Sequence, residues 1–120
     1  KKAHKWLLLS VEQGNSEAQL ILGGLYAVGE GVLQDYKEGI KWLRLAAEQG
    51  DSYAQGVLGA MYFEGKGVAK DYKTAHMWFN IAVANGSEDA GAARDATAKL
   101  MSPEEVNEAQ DMAREWVKNH

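Results

Sequence analysis

A fixed interval of 36 residues runs through this chain and limits what it can fold into. It separates Trp6, Trp42 and Trp78, then Gly14, Gly50 and Gly86, then Ala18, Ala54 and Ala90. In the same register Leu22-Gly23 recurs as Leu58-Gly59, Tyr26 as Tyr62, Gly31-Val32 as Gly67-Val68, and Asp35-Tyr36-Lys37 as Asp71-Tyr72-Lys73. A unit of this length is one supersecondary piece that cannot bury its apolar face alone, so successive units must stack and share a core. At 120 residues the chain has room for one such stack and not for a second independent domain.

The punctuation inside each unit predicts two helices. Helix A is expected to begin at Ser16 or Ser52, whose hydroxyl can accept from the free N–H groups of the first turn. It carries apolar residues at helical spacing, Ala18, Leu22, Leu25 and Tyr26 in one unit and Ala54, Leu58, Met61 and Tyr62 in the next. Gly29-Glu30-Gly31 and Gly65-Lys66-Gly67 are expected to stop it, because glycine enters the left-handed conformation at little cost. Helix B then opens at Asp35 or Asp71, a capping carboxylate at the positive end of the helix dipole, and closes at Gly50 or Gly86. Nothing alternates with period two for any length, so strands are not expected. Gly23 and Gly59 fall in mid-helix, where glycine costs about 1 kcal/mol relative to alanine. Their compensation is expected to be close approach of a neighbouring helix, with Trp42 or Tyr26 leaning into the space.

The two ends depart from the pattern in different ways. Lys1 aligns with Lys37 and Lys73, so residues 1–14 read as a lone B helix whose A partner would belong to an upstream continuation of the chain. In residues 87–120 Ala90 is kept, but Arg94-Asp95 stands for Leu-Gly and Ala98 for Tyr. Ser102-Pro103-Glu104-Glu105 has the residues of a capping box, followed by Val106, Ala109, Met112, Ala113 and Trp116 on one face. A helix with one apolar stripe and charges elsewhere suits the capping unit of a stack. The expected fold is therefore all-α, a solenoid of antiparallel helix-turn-helix repeats with about seven helices in a right-handed stack. Its units are residues 1–14, 16–50, 52–86 and 87–120.

Composition removes several functions. Thirteen Lys and Arg against seventeen Asp and Glu leave a net charge of −4, which offers no cationic excess to displace counterions from a phosphate backbone, so nucleic acid is not an expected partner. No apolar run approaches the ~20 residues of a membrane-spanning helix. With no cysteine, and with no His-Glu-x-x-His spacing, no metal site is expected; His4 and His76 lie two units apart and read as surface or half-buried residues. Gly65-Lys66-Gly67 lacks the remaining elements of a phosphate loop or a dinucleotide fingerprint and reads as a turn. Glu104, Glu105 and Glu108 are explained by capping and the helix dipole, and Glu12 and Glu48 by repeat equivalence on solvated helix ends. No pairing of carboxylates or of Ser, His and Asp suggests acid–base or nucleophilic catalysis, so neither a catalytic residue nor a cofactor is expected.

The recurring order of an Ala, a Leu-Gly, a Tyr, a Gly-x-Gly-Val, an Asp, a Trp and an Ala-Ala-x-x-Gly resembles the Sel1-like repeat family, relatives of the tetratricopeptide repeat. Residues 16–50 match it almost throughout, residues 52–86 match with Ala82-Val83 for Ala-Ala, and residues 1–14 match its second half. The resemblance implies an α-solenoid whose A helices line a concave face and which serves as an adaptor or scaffold for other proteins. It also implies export for many bacterial members, with a cytoplasmic location left open.

Residues that break the repeat are where specificity for a partner would reside, because the recurring ones are taken up by the core. Tyr53 and Phe63 replace Glu17 and Ala27 of the preceding unit, and with Gly56 and Ala60 they fall at i, i+3, i+7 and i+10 on one side of the second A helix. Helical periodicity identifies a face without saying what covers it. The stripe either packs on a neighbouring helix or offers an aromatic anchor to a protein or peptide partner, with Gln19 and Gln55 supplying polar contacts beside it. The expected function is protein–protein interaction. The alternatives are a purely structural segment of a larger protein and a regulator of an enzyme.

Overall fold

The structure, a computed structural model, describes residues 19–21, 23 and 35–120. Gln19, Leu20, Ile21 and Gly23 are helical, and five complete helices follow: α1 (Tyr36–Glu48), α2 (Ser52–Glu64), α3 (Tyr72–Ala84), α4 (Asp89–Ala98) and α5 (Pro103–Asn119). There is no strand among the described residues. The expected B helix of residues 1–14 and the turn at Gly29–Gly31 lie outside them.

The helices start and stop on the chemistry of their ends. Asp35 accepts from the amides of Lys37 and Glu38 at the head of α1, and Asp71 accepts from Thr74 at the head of α3. At α2 the cap is Asp51, which accepts from the Ala54 amide at 3.0 Å, and Ser52 is the first helical residue. Two adjacent residues were able to cap here, and the carboxylate, which gains more from the helix dipole than a hydroxyl does, holds the position. Both B helices end in the same double closure. Gly50 N–H donates to Ala47 and Asp51 N–H to Ala46, while Gly86 donates to Val83 and Ser87 to Ala82. This six-residue closure needs a left-handed residue at its centre, and Gly50 (φ 93°) and Gly86 (φ 101°) provide it.

The helices pack through one seam. α1 lies on α2, and α3 is the hub, touching α2, α4 and α5. Leu43, Ala46, Ala47, Ala54, Leu58 and Ile81 are fully enclosed where α1, α2 and α3 meet. Ala75, Phe79, Ala82 and Ala90 extend the core to α4. α5 opens with a complete capping box between Ser102 and Glu105 and lays Ala109 and Ala113 against the seam. Its Trp116 meets Trp78 edge-on at 5.4 Å, and Glu108 receives the Lys73 ammonium at 2.8 Å.

The mid-helix glycines are points of close approach, but the tryptophan expected there is not what meets them. A Cβ at Gly59 would fall 2.6 Å from the Phe79 ring, and one at Gly23 would fall 2.7 Å from Leu43. Leu43 and Phe79 follow Trp42 and Trp78 by one residue, a turn of about 100° around the helix. That rotation aims them at the glycines and turns Trp78 toward α5. Tyr26 lies outside the described residues.

Candidate functional site

α2 has apolar or small residues on all sides, with Glu64 as its sole charge. A helix of that kind belongs in a core unless one of its faces is left open. Its inward face, Ala54, Leu58 and Met61, is covered by α1 and α3. Tyr53, Gly56, Ala60 and Phe63 form another face, turned toward α4 across a groove. Tyr53 is 69% exposed, and the position where Gly56 would carry a Cβ has nothing within 4 Å. Phe63 is half-buried and leans on Tyr72 with ring centres 5.3 Å apart.

Two adjoining hollows make up the groove. The first has a cavity volume of about 270 Å³, with Gly56 and Val57 on one wall, Ala90 and Ala93 on the other, and Ser52, Ser87 and Asp89 at its mouth. The second, about 300 Å³, lies between Phe63 and Glu64 on α2 and Ala96 and Thr97 on α4. Ala60, Phe79 and Ala93 border both. The space exists because a large ring on α3 props apart two helices that face each other with small side chains. Phe79 reaches its place only because Gly59 has no side chain there. Its counterpart in the preceding B helix is Leu43, so Phe79 departs from the repeat just as Tyr53 and Phe63 do. Applied to the B helices, the same criterion would have found it. The α4 wall was not legible in this way, because beyond Ala90 the unit keeps none of the recurring residues against which a departure could be seen.

The two glutamines placed beside the stripe lie elsewhere. Gln55 is fully buried; its amide donates to the Ala47 carbonyl at 2.9 Å, and its oxygen accepts from Asn85 at 3.0 Å. Gln19 is 4% exposed and accepts from Gln49 at 2.7 Å. Gln19 with Gln49 and Gln55 with Asn85 are equivalent pairs one unit apart, so each ties an A helix to the end of a B helix. Gln55 precedes Gly56 by one residue, and the resulting rotation of about 100° turns it from the groove into the core.

His76 is also more enclosed than expected. It is 2% exposed, and its Nδ1 has no hydrogen-bond partner. Burial holds its pKa below the ordinary imidazole value; Arg94 on α4 adds to the depression and Asp95 opposes it. Gly65 and Gly67 both take positive φ and form the turn between α2 and α3, where Lys66 lies 3.6 Å from Glu64. Glu105 closes the α5 capping box, and its bonds from Ser102 hold its carboxyl below the usual range. Among the described residues no group of three or more His, Asp or Glu is placed to hold a metal ion, and no helix is long and apolar enough to cross a membrane.

The comparisons agree with this architecture. The model of the Sel1 repeat matches residues 1–15, 16–51 and 52–87. Among solved structures the chain is similar to c5321, a protective antigen of uropathogenic Escherichia coli displaying an SLR fold, with 34% identity and a TM-score of 0.93 over 98% of this chain. It is similar to a Sel1 repeat protein from Oxalobacter formigenes (37% identity, TM-score 0.73, 76% of this chain) and to Helicobacter pylori cysteine rich protein B (29%, 0.72, 75%). The chain spans 25% of the first of these structures, 37% of the second and 68% of the third. No curated protein sequence matches it. With a 36-residue register, hairpins joined through one seam and three matched repeats, the chain belongs to the Sel1 repeat family.

Proposed function

We propose that this chain is a scaffold that holds a segment of another protein in the groove between α2 and α4. Sel1 repeats form scaffolds that generally act in protein–protein interaction, and proteins built from them are typically not enzymes. The observation that supports this groove as the binding face is the second apolar side of α2. Tyr53, Gly56, Ala60 and Phe63 line a pair of hollows that nothing in the described fold fills. Each hollow is at or below the lower end of the roughly 300–1,000 Å³ of small-molecule pockets. Space of that size, walled by alanine and floored by one phenyl ring, suits one apolar side chain per hollow. Tyr53 at the mouth supplies a broad rigid surface of the kind that carries much of the energy in protein interfaces.

Gly56→Phe tests the assignment, because the new ring enters open space and does not disturb the core. The variant is expected to melt no lower than the parent and to lose a partner recovered by cross-linking from the native source. A folded variant that recovers the same partner at parental yield would contradict the groove as the binding face.

A further inference from the structure

Assuming that the groove holds a protein segment, we infer from its charge that the segment carries two apolar anchors flanked by lysine or arginine. Two carboxylates border the hollows, Asp89 at the mouth of the first and Glu64 at the edge of the second, and no cation among the described residues lines either one. Asp89 is exposed and has no hydrogen-bond or ion-pair partner among the described residues, and Glu88 beside it is also exposed. Glu64 faces Lys66 at 3.6 Å with both side chains about half exposed, a pairing too weak to exclude a competing cation. The nearest arginine on α4, Arg94, is engaged by Asn80 and Asp95. The first end of the groove is therefore negative, the second holds a carboxylate whose charge Lys66 offsets, and the middle is apolar; the whole chain carries a net charge of −4. An acidic segment would bring like charges together at the first end, whereas a basic one is attracted there and can take the place of Lys66 on Glu64 at the second.

The geometry also sets a spacing for the anchors. Gly56 and Phe63, which mark the two hollows, are seven residues apart on α2, about 10 Å along the axis. A segment in the polyproline II conformation rises ~3.1 Å per residue with three residues per turn, so residues three apart share one side at about 9 Å and its anchors would stand at that spacing.

Three synthetic peptides test this. They share two leucines three residues apart and differ only in their flanks, which are lysine, serine or glutamate. Each is titrated into the 120-residue chain and followed by the amide resonances of Gly56, Ala60 and Ala93. The lysine-flanked peptide is expected to bind about threefold to tenfold tighter than the serine-flanked one, as suits two exposed ion pairs, and the glutamate-flanked peptide weakest. The differences should shrink when salt rises from about 0.05 M to about 0.5 M, and the lysine-to-glutamate ratio should fall toward one in the double variant Glu64→Gln, Asp89→Asn. Equal binding of all three, or tightest binding of the glutamate peptide, with Gly56→Phe abolishing every interaction, would overturn the charge inference and leave the groove reading standing. Binding that survives Gly56→Phe, or peptides that leave these three resonances unmoved, would overturn both. Movement of the same resonances with protein concentration alone would identify a second copy of the chain as the occupant and overturn the inference of a basic segment.

Discussion

α5 carries its apolar residues in one stripe, Val106, Ala109, Met112, Ala113 and Trp116, with charges on its other sides, whereas α2 is apolar or small all the way round. Apart from Val117, which is 49% exposed, folding accounts for α5: its stripe meets the seam and α3, and its polar sides meet water. For α2 folding accounts for one face only. Leu58 and Gly59 are fixed by the packing of α1 and α3, while Tyr53 and Gly56 could change without touching the core. Apolar surface beyond what the core needs marks a place where another molecule is expected.

The same leucine placed on each face of α2 distinguishes them most strongly. Gly59→Leu drives a side chain into the Phe79 ring and should cost about 1–3 kcal/mol, the usual penalty of overpacking. Gly56→Leu meets open space and trades a poor helix former for a good one, so it should stabilise by up to ~1 kcal/mol. Urea unfolding of the two variants beside the parent reads both; equal effects would mean that the two faces are not distinct. A smaller loss is expected for Gln55→Leu. It removes the bonds to Ala47 and Asn85 from the joint between units and should cost about 1 kcal/mol in the same measurement, although Gln55 is next in sequence to a groove residue.

The third prediction separates α4, the far wall of the groove, from α5. His76 has a folded pKa below its unfolded value of about 6.5, so the unfolded chain binds the proton more readily. Its contribution to stability is complete above pH ~6.5 and is lost as the pH falls toward the folded pKa. Asp71 and Glu105 do not mask this. Burial works against the Asp71 charge, yet the bonds from Thr74 outweigh it, and Ser102 does the same for Glu105. Both carboxyls therefore sit below their usual range and stay ionised through pH 5. Between pH 7 and 5, amide protection factors, taken against the intrinsic exchange rate at each pH, should fall more in α4, whose Arg94 and Asp95 act on His76, than in α5. In His76→Gln this difference should disappear, and its persistence there would place the sensitivity elsewhere.

Residues that recur every 36 positions made the fold readable before any coordinates. Asp35, Asp71, Gly50, Gly65 and Gly86 occupy the caps and turns their chemistry suggested, because those roles depend on the local chain. Contacts between helices were less legible. Gly59 announced a close approach, but a one-residue rotation on α3 decides whether Trp78 or Phe79 arrives, and spacing along one helix carries no information about the rotation of its neighbour. Gln55 was misjudged by the same rotation within α2. The stripe from Tyr53 to Phe63 was visible as a face, but its opposite wall on α4 was not, since Ala93 and Ala96 belong to the unit that has lost the register.

In the proposed binding mode the Phe79 ring is the floor on which a partner's apolar side chain rests. Intermolecular nuclear Overhauser effects from the leucine methyls of the lysine-flanked peptide test it most directly. Cross-peaks are expected to the ring protons of Phe79 and to the methyls of Ala60 and Ala93. Cross-peaks to Trp116 or Val117 on the α5 side, with none to Phe79, would contradict it.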